Sequence, residues 1–242
     1  MKTRLDQMLV ERGLAESREK AKALILAGQV LVDGQKVDKA GAGIQPEARI
    51  ELLGQMRYVS RGGLKLEAAI ERFGVRVPGR VAIDVGTSTG GFTDCLLQHG
   101  AARVHCVDVG ATQIAWKLKA DPRVVLHEHQ NARLIGPEVI GEKAGVLVCD
   151  VSFISVTLMV ERFPALLAED GEMVILVKPQ FEVGRGEVGK GGIVREESLH
   201  AAACDRVESA VRQLGFETEL MESPILGGKG NKEFLLYARR KS

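Results

Sequence analysis

The sequence predicts an α/β protein: a doubly wound, mostly parallel seven-stranded sheet, preceded by a small N-terminal α+β domain. Three observations carry that reading. From Arg80 onward, five short apolar runs ("RVAIDVG", "RVHCVDVG", "RVVLHEHQ", "GVLVCDVS" and "MVILVKP") alternate with segments that could each hold a helix, the signature of a parallel sheet covered on both faces. A last pair of runs, "FETELMES" and "KEFLLYARR", flanks the glycine-rich "GGKGN" and reads as an antiparallel hairpin at the sheet edge. The first fifty or so residues follow a different pattern: two helical periods, a hairpin and one more strand.

Within that first segment, Leu5, Met8 and Leu9 lie at helical spacing, and "SREKAKALILAGQ" opens on Ser17, a good N-cap. "VLVDGQKV" alternates about Asp33-Gly34, a strong hairpin signal, and "ARIELL" supplies the remaining strand. Arg4, Arg18, Lys20 and Lys22 can present cations from the two helices, although Glu16 and Glu19 interrupt them as they would on any solvated face. The stretch "RLDQMLVERGLAESREKAKALILAGQVLVDGQKV" resembles the small RNA-binding domain shared by a ribosomal protein of the small subunit, pseudouridine synthases and tyrosyl-tRNA synthetases. That resemblance implies docking on structured RNA. The expected division is a small RNA-binding domain over residues 1–54, a basic linker over 55–64 that includes Arg57 and Arg61, and the main domain over 65–242.

Composition narrows the function. With 33 basic and 32 acidic side chains, the net charge is +1, so any attraction to a polyanion must be local. Cys95, Cys106, Cys149 and Cys204 are scattered through apolar stretches, with no pair at metal-ligand or redox spacing, and read as reduced, buried thiols. The charged opening "MKTRLDQMLVERG" is unlike a signal peptide, and no apolar run reaches the roughly 18 residues of a membrane span. A cytoplasmic protein acting without a metal and as a monomer is the expectation.

In a doubly wound sheet, ligands sit beyond the carboxyl ends of the strands. Polar groups collect there: Asp84, Asp108, Asp150 and Lys178 close four of the apolar runs, and Asn131 lies just past another. The first turn, "DVGTSTGGFTD", carries Gly86, Gly90 and Gly91, but Ser88 stands where a dinucleotide fingerprint needs its middle glycine. That weakens a pyrophosphate ligand and favours S-adenosylmethionine, whose amino-acid end must approach the backbone closely. Asp108 suits ribose hydroxyls, a spacing that NAD would share. "GRGEVGKG" imitates a phosphate loop but has Gly191 in place of the magnesium-binding hydroxyl; with Arg185, Lys190 and Arg195 it reads better as a flap over cofactor or RNA.

Assembled, "VSRGGLKLEAA", "DVGTSTGGFTD", "VDVG", "DVSFIS", "VKPQFE" and "NKEFL" resemble the hemolysin A-like (TlyA) family of ribosomal RNA ribose methyltransferases over essentially the whole chain. The resemblance implies a Rossmann-like class I methyltransferase domain behind the RNA-binding domain, and 2′-O-methylation of ribose, of cytidine in particular, in rRNA. It implies a tetrad of Lys65, Asp150, Lys178 and Glu233, with the cofactor held by Asp84, Gly86, Ser88, Gly90, Asp108 and Asn131. Thr87, where many relatives have alanine, and "HEHQNAR" before Asn131 depart from the family pattern.

A ribose hydroxyl needs its proton removed, and Lys178 is the expected base, with Asp150 and Glu233 orienting the two lysines. The alternatives are a non-enzymatic ribosome-assembly factor, an NAD-dependent enzyme disfavoured by Ser88, and a hemolysin disfavoured by the absence of a membrane pattern.

Overall fold

A computed structural model describes residues 2–52, 57–111 and 113–241. The chain divides into two compact units, Met1–Met56 and Arg57–Ser242.

In the small unit, helices Leu5–Glu11 and Arg18–Leu26 bury Leu5, Met8, Leu9, Ala21 and Ile25 against Val30 and Ile44. Ser17 caps the second helix, its side chain accepting from the Lys20 N–H at 3.2 Å. The hairpin pairs Val30–Val32 with Gln35–Lys36, and its turn residues Asp33 (φ 49°) and Gly34 (φ 80°) take the left-handed geometry that a two-residue turn requires. Ile50–Leu52 pairs antiparallel with Val30–Val32. A two-residue pairing of Thr3–Arg4 with Gly43–Ile44 has no signal in the sequence.

The larger unit is built on one seven-stranded sheet. Its order is Phe216–Glu222, Phe234–Arg240, Leu167–Val177, Ala144–Cys149, Val81–Val85, Arg103–Val107 and Val124–His127. The last five in that list run parallel to one another, and Phe234–Arg240 joins antiparallel to both of its neighbours. Period-two alternation sends Ile83, Val85, Leu147 and Ile175 to the face covered by helix Glu197–Gln213. Ala82, Val146, Val148 and Val174 point to the face covered by Gly62–Phe73 and Gly91–Gln98. All four cysteines are buried and unpaired. Among the described residues no helix is long and apolar enough to cross a membrane.

Two features differ from expectation. Residues 57–64 are not a separate linker: Tyr58 is buried and Gly62 already begins the helix that carries Lys65. Residues 55 and 56 lie outside the described residues. Gly63 explains the local sequence, because any Cβ there would overlap the Tyr58 ring. Several connections hold only short helices, Trp116–Lys119, Pro137–Ile140 and Phe163–Leu166. Asp121-Pro122 ends the first, and Gly141, at φ 80°, stops the second.

Candidate active site

Two adjoining cavities open at the carboxyl ends of the parallel strands. The larger, about 650 Å³, is lined by Gly86, Asp108, Gln130, Asn131 and Asp150 among others. The smaller, about 320 Å³, is lined by Arg61, Lys65, Asp84, Asp150 and Lys178 among others. Gly86, Ser88, Asp150 and Ser152 line both, so these residues form the boundary at which the cavities meet.

The turn after Val81–Val85 shapes that boundary. Gly86, at φ 86°, lies so close to the Asp150 carbonyl that a Cβ would overlap it. Ser88 adopts φ 50°, a left-handed conformation that costs a non-glycine residue about 1–2 kcal/mol. Its N–H donates to Asp108 Oδ2 at 2.9 Å, and the Gly110 N–H donates to Oδ1 at 3.1 Å. Two backbone donors therefore fix the Asp108 carboxylate on the wall of the larger cavity. Gly90, at φ 91°, opens helix Gly91–Gln98 and packs on Ile114 and Leu118, where no side chain would fit. Asn131 lines the same cavity, its Oδ1 accepting from the Arg133 N–H at 3.1 Å.

Asp84 is not at the strand tip but one residue inside it, paired in register with Cys106 and Val148. Alternation aims its side chain at helix Gly91–Gln98, so it borders the smaller cavity and not the larger. The carboxyl is fully buried; Oδ2 accepts from Thr93 Oγ1 at 2.6 Å, and Oδ1 has no hydrogen-bond partner among the described residues. Burial pushes its pKa up to about 7, with the Thr93 bond opposing and the Asp150 and Asp108 charges adding to the rise.

The four tetrad residues form two ion pairs. Lys65, from helix Gly62–Phe73, pairs with Glu233, just before strand Phe234–Arg240. Lys178 and Asp150 follow adjacent parallel strands and pair with each other. Lys178 Nζ donates to Ser152 Oγ at 2.9 Å and also contacts Asp150 Oδ1, so these two residues fix its position. Lys178 is extended (φ −113°, ψ 99°) ahead of Pro179. Glycine is required again at Gly227, where a Cβ would overlap the Glu233 carboxylate.

Two residues that the sequence reading passed over complete the site. Glu182 is 3% exposed and accepts from the Val156 N–H at 2.9 Å and from Ser155 Oγ, joining the loop after Lys178 to the loop after Asp150. Phe153, in that second loop, is 91% exposed at φ 67°, lines the larger cavity, and lies 5.3 Å from the Phe181 ring. Positive φ at an exposed aromatic residue is local strain, which collects at functional sites. Neither "SFIS" nor "PQFE" carries a sign of these contacts in one dimension.

The sequence-predicted cations fall in both units. In the larger, Arg57 pairs with Glu67 and lies over the Tyr58 ring at 5.6 Å, while Arg61 lines the smaller cavity. In the small unit, Arg4 and Arg18 converge on Asp6, a fully buried carboxylate that accepts from Arg4 Nε and Nη2 (3.0 and 3.1 Å) and Arg18 Nη2 (3.1 Å). The Arg4 hydrogen bond foremost, against the cost of burial, holds the Asp6 pKa down at about 2. Lys20 pairs with Glu16, and Lys22 is exposed. In the expected flap, Glu187 accepts from the Gly184 N–H at 2.7 Å, and Asn231 holds the far end by accepting from the Val194 N–H at 3.0 Å.

Comparison with known proteins identifies the two units. Residues 58–240 match the model of the FtsJ-like methyltransferase family, and residues 3–50 match the S4 domain. The chain is 48% identical over 98% of its length to YqxC of Bacillus subtilis, provisionally described as an rRNA methyltransferase, covering 85% of that protein. It is 41% identical over its whole length to the 16S/23S rRNA (cytidine-2′-O)-methyltransferase TlyA of Mycobacterium tuberculosis, covering 91% of it. A solved structure from Streptococcus thermophilus, provisionally described as a hemolysin, superposes with a TM-score of 0.75 at 43% identity, covering 100% of this chain and 89% of that one.

Proposed function

We propose that this chain, which belongs to the FtsJ-like methyltransferase family, transfers a methyl group from S-adenosylmethionine to a ribose 2′-hydroxyl of ribosomal RNA, with cytidine as the nucleoside. The observation that carries the reading is the boundary between the two cavities. Asp150 and Ser152 line both, and they hold Lys178 Nζ between them.

The residues present fit the cofactor. Asp108, pinned by two N–H groups, offers a carboxylate to a ribose diol, and Asn131 lies in the same cavity. Gly86 lets a ligand pass close to the backbone between the cavities. Asp84 Oδ1, buried and unpartnered, is an acceptor suited to an ammonium group. Bound there, S-adenosylmethionine supplies a methyl group on a positively charged sulfur.

The protein's task is then alignment and one proton transfer. Lys178 Nζ would take the proton of the 2′-hydroxyl as that oxygen is methylated. Lys178 accepts that proton as a free amine. Asp150 and Ser152 aim the amine, and Lys65, its charge matched by Glu233, places a second cation beside the acceptor pocket. Exposed Arg57 and Arg61 in one unit, and Arg4, Arg18, Lys20 and Lys22 in the other, supply the phosphate contacts.

The test is incubation with methyl-labelled cofactor and separated ribosomal subunits, followed by mapping of the 2′-O-methyl group. Lys178→Ala should keep cofactor affinity and lose transfer by about 100-fold or more. Full activity of that variant would remove Lys178 as the base. Cofactor and rRNA binding by the wild type, without labelling of either subunit, would favour an assembly factor instead.

A further inference from the structure

The chain has a single tryptophan, Trp116, and it is 78% exposed. Tryptophan is the costliest side chain to leave in water, and nothing in its own short helix requires it. Leu118 of that helix, with Ile114 just before it, packs inward on Gly90. Trp116 faces the other way.

Its position is set by contacts to the rim of the smaller cavity. The Ala115 N–H donates to the Thr89 carbonyl at 3.1 Å, and Thr89 lines that cavity together with Arg61. Lys117 Nζ lies 2.9 Å from Asp94 Oδ2, and the same oxygen accepts from the Val59 N–H at 2.8 Å. Buried Asp94 thus ties the tryptophan's neighbour to the segment that carries Arg61. Lys117, Lys119 and Arg61 are all exposed. An exposed indole ring followed by Lys117 and Lys119, on a helix tied to the rim of the proposed nucleotide pocket, matches the chemistry of a strand of bases and phosphates better than that of a protein surface.

We infer that Trp116, with Lys117, Lys119 and Arg61, forms a docking strip for single-stranded RNA next to the target nucleotide, on which Trp116 stacks a flanking base. This rests on the proposed reaction for the identity of the pocket, but not for its test. The strip is sequence-tolerant, because every base presents a face to the ring, and its phosphate contacts weaken with salt.

The lone tryptophan reports on itself. Oligocytidylate titrated into the wild-type protein at low salt should quench the emission, and S-adenosylhomocysteine alone should not. With ribosomal subunits as substrate, Trp116→Ala should raise KM by about 5- to 100-fold with kcat little changed, and Trp116→Phe should recover most of the loss. Unchanged melting of both variants would show that an exposed position has been altered without harm to the fold. An unchanged KM in Trp116→Ala, or no quenching by the oligonucleotide, would overturn the strip. If the wild type methylates neither subunit, the proposed reaction fails, and the quenching experiment still decides the strip by itself.

Discussion

Lys65 and Glu233, separated by 168 positions in sequence, form an ion pair whose side chains are 10% and 2% exposed. A pair so enclosed is held in place by the cost of leaving either member alone. Removing one partner strands the other charge and should cost about 3–5 kcal/mol. Lys65→Met or Glu233→Gln alone should therefore melt well below wild type, whereas the double variant recovers much of the loss. Methyl transfer should be lost in all three. Thermal melting read beside activity separates the two effects, and a double variant as unstable as either single one would show that the pair is not the cause.

Ser88 and Asp108 make a second testable contact. Asp108→Asn keeps a hydrogen-bonding side chain but removes the charge, and should weaken S-adenosylmethionine by about 10- to 100-fold in calorimetry. Ser88→Gly retains the N–H that holds Asp108. It relieves about 1 kcal/mol of left-handed strain, but it frees the unfolded chain by a comparable amount. Melting temperature and cofactor affinity should both stay near wild type. A large loss of affinity in Ser88→Gly would mean that the serine side chain itself contacts the ligand.

Asp84 gives the site a pH dependence. Its folded pKa, about 7, lies above that of an ordinary carboxyl, so the stability it contributes is full below about pH 4 and is lost as pH rises through about 7. Asp84→Asn should accordingly gain on wild type across that window, and hold its gain above it, by on the order of a few kcal/mol. In the proposed site, the cofactor's ammonium group needs the ionised carboxylate. Wild-type affinity should therefore strengthen from about pH 6 to 8, and the asparagine variant should show a flat profile. Equal slopes for the two proteins would remove Asp84 from the cofactor site.

In the small unit, Asp6 acts through the two arginines it holds. Asp6→Asn should loosen Arg4 and Arg18 and weaken RNA binding by about tenfold, with little change in the number of ions released as read from the salt slope. The pKa of Asp6, held at about 2, makes the sign opposite to that of Asp84. Its stabilising contribution is present above about pH 4 and is lost only as pH falls through about 2. RNA affinity should thus show no step from Asp6 between pH 5 and 8, a range in which filter binding can be measured directly.

The fold was legible because its signals are local. Ser17 caps its helix through an N–H three residues away, Asp33-Gly34 turns a hairpin by its own dihedral angles, and the apolar runs of the sheet declare themselves by length and composition. Pro122, past the end of Trp116–Lys119, and Gly141, past the end of Pro137–Ile140, mark where those short connecting helices stop. Trp116, Phe153 and Glu182 were not legible, because exposure and hydrogen-bond partners are properties of what surrounds a residue.

Local signals along the chain specify the set of elements, the strand ends on which Asp108, Asp150 and Lys178 stand, and the motifs that mark Lys65 and Glu233. Packing sets which lysine faces which acid, buries Asp84 with one oxygen unpartnered among the described residues, and gathers Arg4 and Arg18 on Asp6. The reason is physical. Helix and strand signals are written in neighbours a few positions apart, whereas charge pairing and desolvation depend on sheet order and packing, which bring together segments that are distant along the chain.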